Sequence, residues 1–336
     1  MMRLPPFRYV SPRSQGEAAR LLADHGPEAM AVAGGTDLYP NMKRRQFEPK
    51  VLVGLRGLVS ARGIRRGGGL ELGALTTLSE VAAHPEVVSS WPSLARAAGS
   101  VSSPPLRNAG TIGGNLCVDT RCNYYNQTKF WRDAIGGCMK KDGDICLVAP
   151  GSKVCWAISS SDTAPVLMAL GAEVTLAGPR DERRIPVATL YGSDGIHYLA
   201  KRPEEILTSI HVPERDGWRT SFRKLRRRGS IDFAILTVAV AVRLDGGGVV
   251  EQARIVLGSV HTSPVVASDA AAFLEGKVLD PETIEMAAGI GYKPAKPLDN
   301  ADLSYAWRKR MARLELGRAL REVAGLPTGD LPPVWS

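Results

Sequence analysis

Two hydrophobic periods alternate along the first two thirds of the chain, and they predict strands and helices in turn. LPPFRYVSP (4–12) reads as a short strand stopped by Pro12. Ser14 stands three residues before Glu17, a capping pair, and Ala18, Ala19, Leu21 and Leu22 give the helix that follows an apolar face. MAVAGGTDL (30–38) is a short buried strand ending in a glycine turn, with Thr36 and Asp37 placed to cap the next segment. KVLVG (50–54) is another buried strand. Glycines 67–69 make a hairpin-like turn before LELGALTTLSEV (70–81), a strand running into a helix that starts at Thr76 or Thr77.

Trp91–Ala98 reads as a helix, whereas VSSPPLRNAGTIGGNL (101–116) carries almost no helix signal. Ser160–Thr163 caps a helix that runs through Leu170 to Gly171; Glu173–Ala177 is a strand and Pro186–Leu190 a short loop-strand. Glu204–His211, ahead of Pro213, resembles an edge strand. The polar, glycine-bearing stretch at 214–218 marks a domain boundary. Beyond it, Val238, Val240, Val242 and Leu244 alternate as a strand, joined to the next by a Gly246–Gly248 hairpin. Segments 265–275, 281–289 and 301–324 are helical, and the proline-rich end is an extended tail. Alternating strands and helices followed by a hairpin and helices indicate an α+β fold.

Composition narrows the class. Length, 336 residues, allows two or three domains, and 44% hydrophobic with 23% charged residues describes an ordinary globular protein. The formal charge of +9 would suit nucleic acid, but basic residues are scattered except for a knot at Arg223, Lys224, Arg226, Arg227 and Arg228. An acidic partner or a phosphorylated ligand fits that knot equally well. No segment has the pattern of a signal peptide or a run of about 20 apolar residues, so a cytoplasmic location is expected. Persistent disulfides are then not expected.

Two glycine segments carry candidate chemistry: Ala31-Val32-Ala33-Gly34-Gly35-Thr36-Asp37-Leu38 and Asn108-Ala109-Gly110-Thr111-Ile112-Gly113-Gly114-Asn115. Adjacent glycines bring backbone N–H groups close to a ligand, and successive N–H groups form a nest for a pyrophosphate. Neither segment is a Rossmann fingerprint or a Walker loop. Each alone reads as a tight turn; the pair raises dinucleotide binding.

The five cysteines all fall between Cys117 and Cys155, spaced C-x4-C-x15-C-x7-C-x8-C, in a polar, glycine-punctuated stretch unlike a core. Thiolates suit iron–sulfur clusters or zinc. With one close pair and no neighbouring histidine, the spacing favours a 4Fe–4S cluster and leaves zinc open. Cys117 continues the glycine segment and is the spare, leaving Cys122, Cys138, Cys146 and Cys155. Tyr124, Tyr125, Phe130 and Trp131 cluster here and either shield a cluster or pack an insertion.

VAGGTDL (32–38), RNAGTIGGNL (107–116) and SDTAPVLMALGAEV (161–174) together resemble the FAD-binding medium subunits of the xanthine oxidase family of molybdenum hydroxylases. FRKLRRRGSIDFAILTVAVAVRL resembles the start of that family's C-terminal flavin-subunit domain. The resemblance implies a two-part FAD-binding domain of the vanillyl-alcohol-oxidase-like (PCMH) type at 1–216, with subdomains at about 1–55 and 56–216. It also implies a C-terminal α+β domain with a small antiparallel sheet at 217–325, and a tail at 326–336. In the family the GGNL segment passes directly into the SDTAP-like helix, whereas this chain carries an insertion at 118–158. That departure resembles the beta subunits of 4-hydroxybenzoyl-CoA reductases, and implies Cys122, Cys138, Cys146 and Cys155 as 4Fe–4S ligands. Ala33, Gly34, Gly35, Thr36 and Asp37 are then expected along the FAD pyrophosphate, with Thr111, Ile112, Gly113, Gly114 and Asn115 on its second side. Asp162 is expected toward the adenosine half and Lys224 toward the isoalloxazine edge.

The expected function is electron transfer from ferredoxin through 4Fe–4S and FAD to 2Fe–2S clusters and molybdenum on a small and a large partner subunit, paired as a dimer of heterotrimers. There the phenolic hydroxyl of 4-hydroxybenzoyl-CoA is removed, with no catalytic residue in this chain. Two other readings stand beside it: the FAD subunit of an aromatic or purine hydroxylase, and a zinc-binding structural or nucleic-acid-interacting protein.

Overall fold

The computed structural model describes residues 3–214 and 216–328. Among them the strands form three sheets. The first is parallel, with β1 (Arg8–Val10) and β2 (Ala29–Val32) flanking β3 (Val51–Gly54). Its central VLVG is wholly buried, because Val51 and Val53 pack on Ala18 and Leu22 of the Gln15–His25 helix while Leu52 packs with Val32 and Met42 on the other face. Ser14 caps that helix as its spacing predicts, accepting from the Glu17 amide at 3.2 Å.

The second sheet is antiparallel. It contains β4 (Ile64–Arg66), β5 (Gly69–Gly73), β6 (Glu173–Ala177), β7 (Glu182–Pro186) and β8 (Ile206–Pro213), in the order β4-β5-β8-β6-β7. The strand read as an edge is therefore central. Pro213 is tolerated because it ends the ladder, opposite Gly69. Thr77 starts the Leu78–Ala83 helix with a full capping box to Glu80. The stretch at 101–116, where no helix is expected, holds two short ones, Pro104–Arg107 and Ile112–Leu116.

The third sheet is antiparallel too: β9 (Trp218–Leu225), β10 (Leu236–Leu244), β11 (Val250–Gly258) and the short β12 (Val265–Val266). The alternation along β10 separates two cores rather than core from solvent. Val238, Val240 and Val242 face Leu316, Ala319 and Leu320 of the Tyr305–Ala324 helix. Ala239 and Ala241 join Phe222, Leu94 and Leu167 in the core of the preceding sheet. Small residues on one face and larger ones on the other let the two layers close on one strand. Most of the basic knot is spent internally: Arg223 Nε bonds Glu315 at 2.6 Å, Lys224 bonds Asp162 at 2.7 Å, Arg226 bonds the Ser100 carbonyl at 2.9 Å and Arg228 bonds Asp232 at 2.9 Å. Among the described residues no helix is long and apolar enough to cross a membrane. Residues 329–336 of the expected tail lie outside the described residues.

Candidate functional site

The two glycine segments meet. A Cβ on Gly34 would stand 2.1 Å from the Ala109 carbonyl oxygen, and Gly35 turns the chain at φ +71°. Residue types with a side chain are excluded at the first position by contact and disfavoured at the second by conformation. Around the second segment, Ile112 N–H donates to the Thr76 carbonyl at 3.0 Å and Gly113 N–H to the Ala74 carbonyl at 2.9 Å. Thr111 Oγ1 accepts from Gly114 N–H at 3.1 Å, so the short Ile112–Leu116 helix begins at the edge of a cavity.

That cavity measures about 460 Å³, within the range of small-molecule sites. Ala33, Gly34, Gly35, Thr36 and Asp37 form one wall, and Thr111, Gly113, Gly114 and Asn115 another. Ile112 is fully buried behind the second wall and packs in the core. The Asn115 side-chain carbonyl accepts from Ser161 Oγ at 2.9 Å, from Thr163 N–H at 3.1 Å and from Thr163 Oγ1 at 2.7 Å. These bonds join the glycine segment to the SDTAP segment across the insertion. Asp162 and Lys224 do not border the cavity; they pair with each other at 2.7 Å, each side chain 4% exposed. Lys224 also donates to the Ser100 carbonyl, while Asp162 Oδ1 is buried without a hydrogen-bond partner among the described residues. Burial pushes the Asp162 carboxyl up, against the pull of Lys224.

Sequence reasoning missed Tyr198, Lys201, Glu205 and Phe233, which also line the cavity. They arrive from distant loops and carry no motif. Lys201 donates to the Glu205 carbonyl at 2.8 Å, and burial lowers its ammonium. Glu205 is fully buried; burial would raise its carboxyl, but bonds from Arg183 and Arg202 win and hold it down to about 2.

The insertion departs from its expected chemistry. Cys122, Cys138, Cys146 and Cys155 are all buried, and they line a common pocket of about 10 Å³, roughly the room of one water. Three of them pack with Tyr125 and Ala157 as a small apolar core. Burial raises the Cys122 and Cys155 thiols to about 11, so both are protonated at neutral pH. Among the described residues no group of three or more His, Cys, Asp or Glu side chains is placed to hold a metal ion. The expectation of a 4Fe–4S cluster on these four cysteines is thereby overturned, and zinc falls by the same geometry. Of the aromatics expected to shield a cluster, Tyr125 is buried but Phe130 is 84% exposed.

What lies between cavity and thiol pocket is a buried polar network. Lys140 Nζ donates to Asp119 Oδ1 at 2.7 Å, Thr120 Oγ1 at 2.5 Å and the Gly195 carbonyl at 2.7 Å. Tyr125 Oη donates to Asp119 Oδ2 at 2.9 Å. All three ammonium donors and both carboxylate oxygens are used.

Comparison with known proteins agrees with this geometry. A family model described as the FAD binding domain in molybdopterin dehydrogenase matches residues 5–215, and the CO dehydrogenase flavoprotein C-terminal domain matches 220–323. The aldehyde oxidoreductase FAD-binding subunit PaoB of Escherichia coli (strain K12) is 34% identical over 79% of this chain and 85% of that one. The carbon monoxide dehydrogenase medium chain of Hydrogenophaga pseudoflava is 28% identical over 94% and 96%. A solved structure of carbon monoxide dehydrogenase from the same organism, lacking the Mo-pyranopterin moiety, superposes with a TM-score of 0.80 at 27% identity, covering 96% of this chain and 99% of that one. These relatives, with the absence of a metal-holding thiol group among the described residues, also overturn the expectation of a 4-hydroxybenzoyl-CoA reductase subunit fed through such a cluster.

Proposed function

Because the chain belongs to the FAD-binding medium-subunit family of xanthine oxidase and CO dehydrogenase-type molybdenum hydroxylases, we propose that it is the electron-transfer subunit of a hydroxylase complex acting on an aromatic or purine substrate. The observation that carries this reading is the cavity whose two walls are side-chain-poor glycine segments in mutual contact. A pyrophosphate needs converging N–H donors with no Cβ between; the Gly34–Gly35 turn fits that demand, while Gly113 and Gly114, whose N–H groups go to Ala74 and Thr111, offer a facing surface free of Cβ. Gly34, Gly35 and Thr36 would hold the pyrophosphate and Gly113 and Gly114 would close against it, with Ala33, Asp37, Thr111 and Asn115 beside them and Ile112 as apolar backing. Asp162 and Lys224 pair with each other outside the cavity lining, Lys224 holding the carboxylate in place. FAD, when bound, supplies the two-electron chemistry that links the metal centres to an external acceptor.

The chain's own residues bind and orient. Substrate and bond-breaking belong to a large molybdenum-cofactor subunit, and a small subunit with two 2Fe–2S clusters connects the two, in a dimer of heterotrimers. A division at about 216, with the FAD-binding domain before it, fits the sheet topology. The five cysteines, none in a disulfide, suit the cytoplasm.

Purification of the tagged chain from its native host tests the reading. Stoichiometric FAD is expected, together with two co-purifying chains that carry molybdenum and 2Fe–2S signals and reduce a dye with N-heteroaromatic substrates. A flavin-free chain that purifies alone overturns it.

A further inference from the structure

The insertion reaches the FAD cavity through one side chain. Arg121 lies at the mouth of the insertion, where its backbone and that of Ile158 exchange hydrogen bonds of 2.8 and 2.7 Å. Its guanidinium pairs with Asp37, donates to Asn41 Oδ1 at 3.3 Å and covers the Phe233 ring at 4.4 Å from the centroid. Asp37 and Phe233 both line the cavity, and they come from distant parts of the sequence.

Neither wall residue is secured by its own element alone. Asp37 precedes the Leu38–Lys43 helix but makes no capping bond with its side chain; its carboxylate accepts from Asn41 Nδ2 of that helix at 3.0 Å and pairs with Arg121 of the insertion. Phe233 is 49% exposed, so the guanidinium covers one face of a ring that solvent largely surrounds. An exposed ion pair contributes little, but the Arg121 side chain is 12% exposed, and it joins an ion pair to a cation–π contact. A planar fork serves both at once, which an ammonium cannot.

We propose that Arg121 is a positioning residue for FAD, fixing Asp37 and Phe233 in the cavity wall so that the insertion braces the cofactor site. This rests on the FAD reading above. Arg121 acts through its two partners and does not itself border the cavity.

Titration of the flavin-stripped full chain with FAD, followed by quenching of flavin fluorescence, tests this alongside the thermal midpoint of the stripped chain. The parent binds saturably; a parent that does not bind FAD overturns the FAD reading and this proposal together. R121Q is expected to weaken binding about tenfold with little change in midpoint, and R121K, which keeps the charge but not the flat face, to lie between. D37N weakens binding as well, and R121Q/D37N is no weaker than the worse single variant, because the two act as one unit. Parent affinity in R121Q, or full additivity in the double variant, overturns the proposal while leaving the FAD reading intact. If R121Q fails to fold, R121K decides: a several-fold loss supports the proposal and parent affinity overturns it.

Discussion

Two hollows lie a few residues apart in this chain and have opposite character. Cys117 lines the cavity of about 460 Å³, while Cys122 lines the thiol pocket of about 10 Å³. Two stretches of the cavity wall are backbone that cannot close: Gly34 already touches Ala109, and Gly113 is bonded to Ala74. The thiol pocket is walled by side chains on turns, which pack until they touch. A site defined by main-chain geometry stays open, and one defined by side-chain spacing need not.

The largest effect is expected where the two regions share a wall. Asp119 borders the cavity and Lys140 the thiol pocket, and their ion pair is about 5% exposed on each side. Lys140→Met leaves Asp119 buried without its countercharge, which costs about 3–5 kcal/mol. Denaturant unfolding should show that loss, and Asp119→Asn in the Lys140→Met background should recover part of it. A Lys140→Met chain as stable as the parent would mean the network does not bind the insertion to the cavity wall.

Gly34→Ala probes the cavity alone. The added methyl would overlap a backbone carbonyl that belongs to the second glycine segment. Overpacking of this kind costs about 3 kcal/mol. FAD titration should register it as a loss of more than tenfold, with the thiol pocket undisturbed; retention of FAD would show that the segments can part without harm.

The same contrast explains what was legible in the sequence. RNAGTIGGNL and SDTAP pointed to one site because their function needs absent side chains and fixed turns, properties that composition states directly. The Asn115 bonds to Ser161 and Thr163 show those halves joined. Cysteine spacing, by contrast, is silent on where the turns aim the sulfurs, and a polar intervening sequence did not prevent Cys122, Cys138 and Cys155 from forming a small core with Tyr125. The β8 strand misled for a different reason: a terminal proline is compatible with a central strand when it sits past the last needed N–H. Tyr198, Lys201 and Phe233 were beyond reach because only tertiary structure brings their loops to the cavity.

Ionisation of a single thiol gives the smallest effect and tests the collapsed pocket itself. In the unfolded chain Cys122 and Cys155 ionise from about 8.5, whereas burial holds both folded thiols up to about 11. Between those values the unfolded state loses its protons first, so stability falls as pH rises; below about 8 the contribution is fully present. The fall is on the order of 2 kcal/mol per thiol by pH 10. Denaturant midpoints of the flavin-free chain at pH 7 and pH 10 should show it, and a Cys122→Ala, Cys155→Ala double variant should lose less over the same interval. Buried Tyr191 and Tyr198, also raised by burial, add a decline of the same sign in both proteins, so the difference between parent and variant isolates the thiols. Parallel pH curves would mean that the sulfurs meet solvent or are already ionised in the folded chain, and the apolar reading of this pocket would fall.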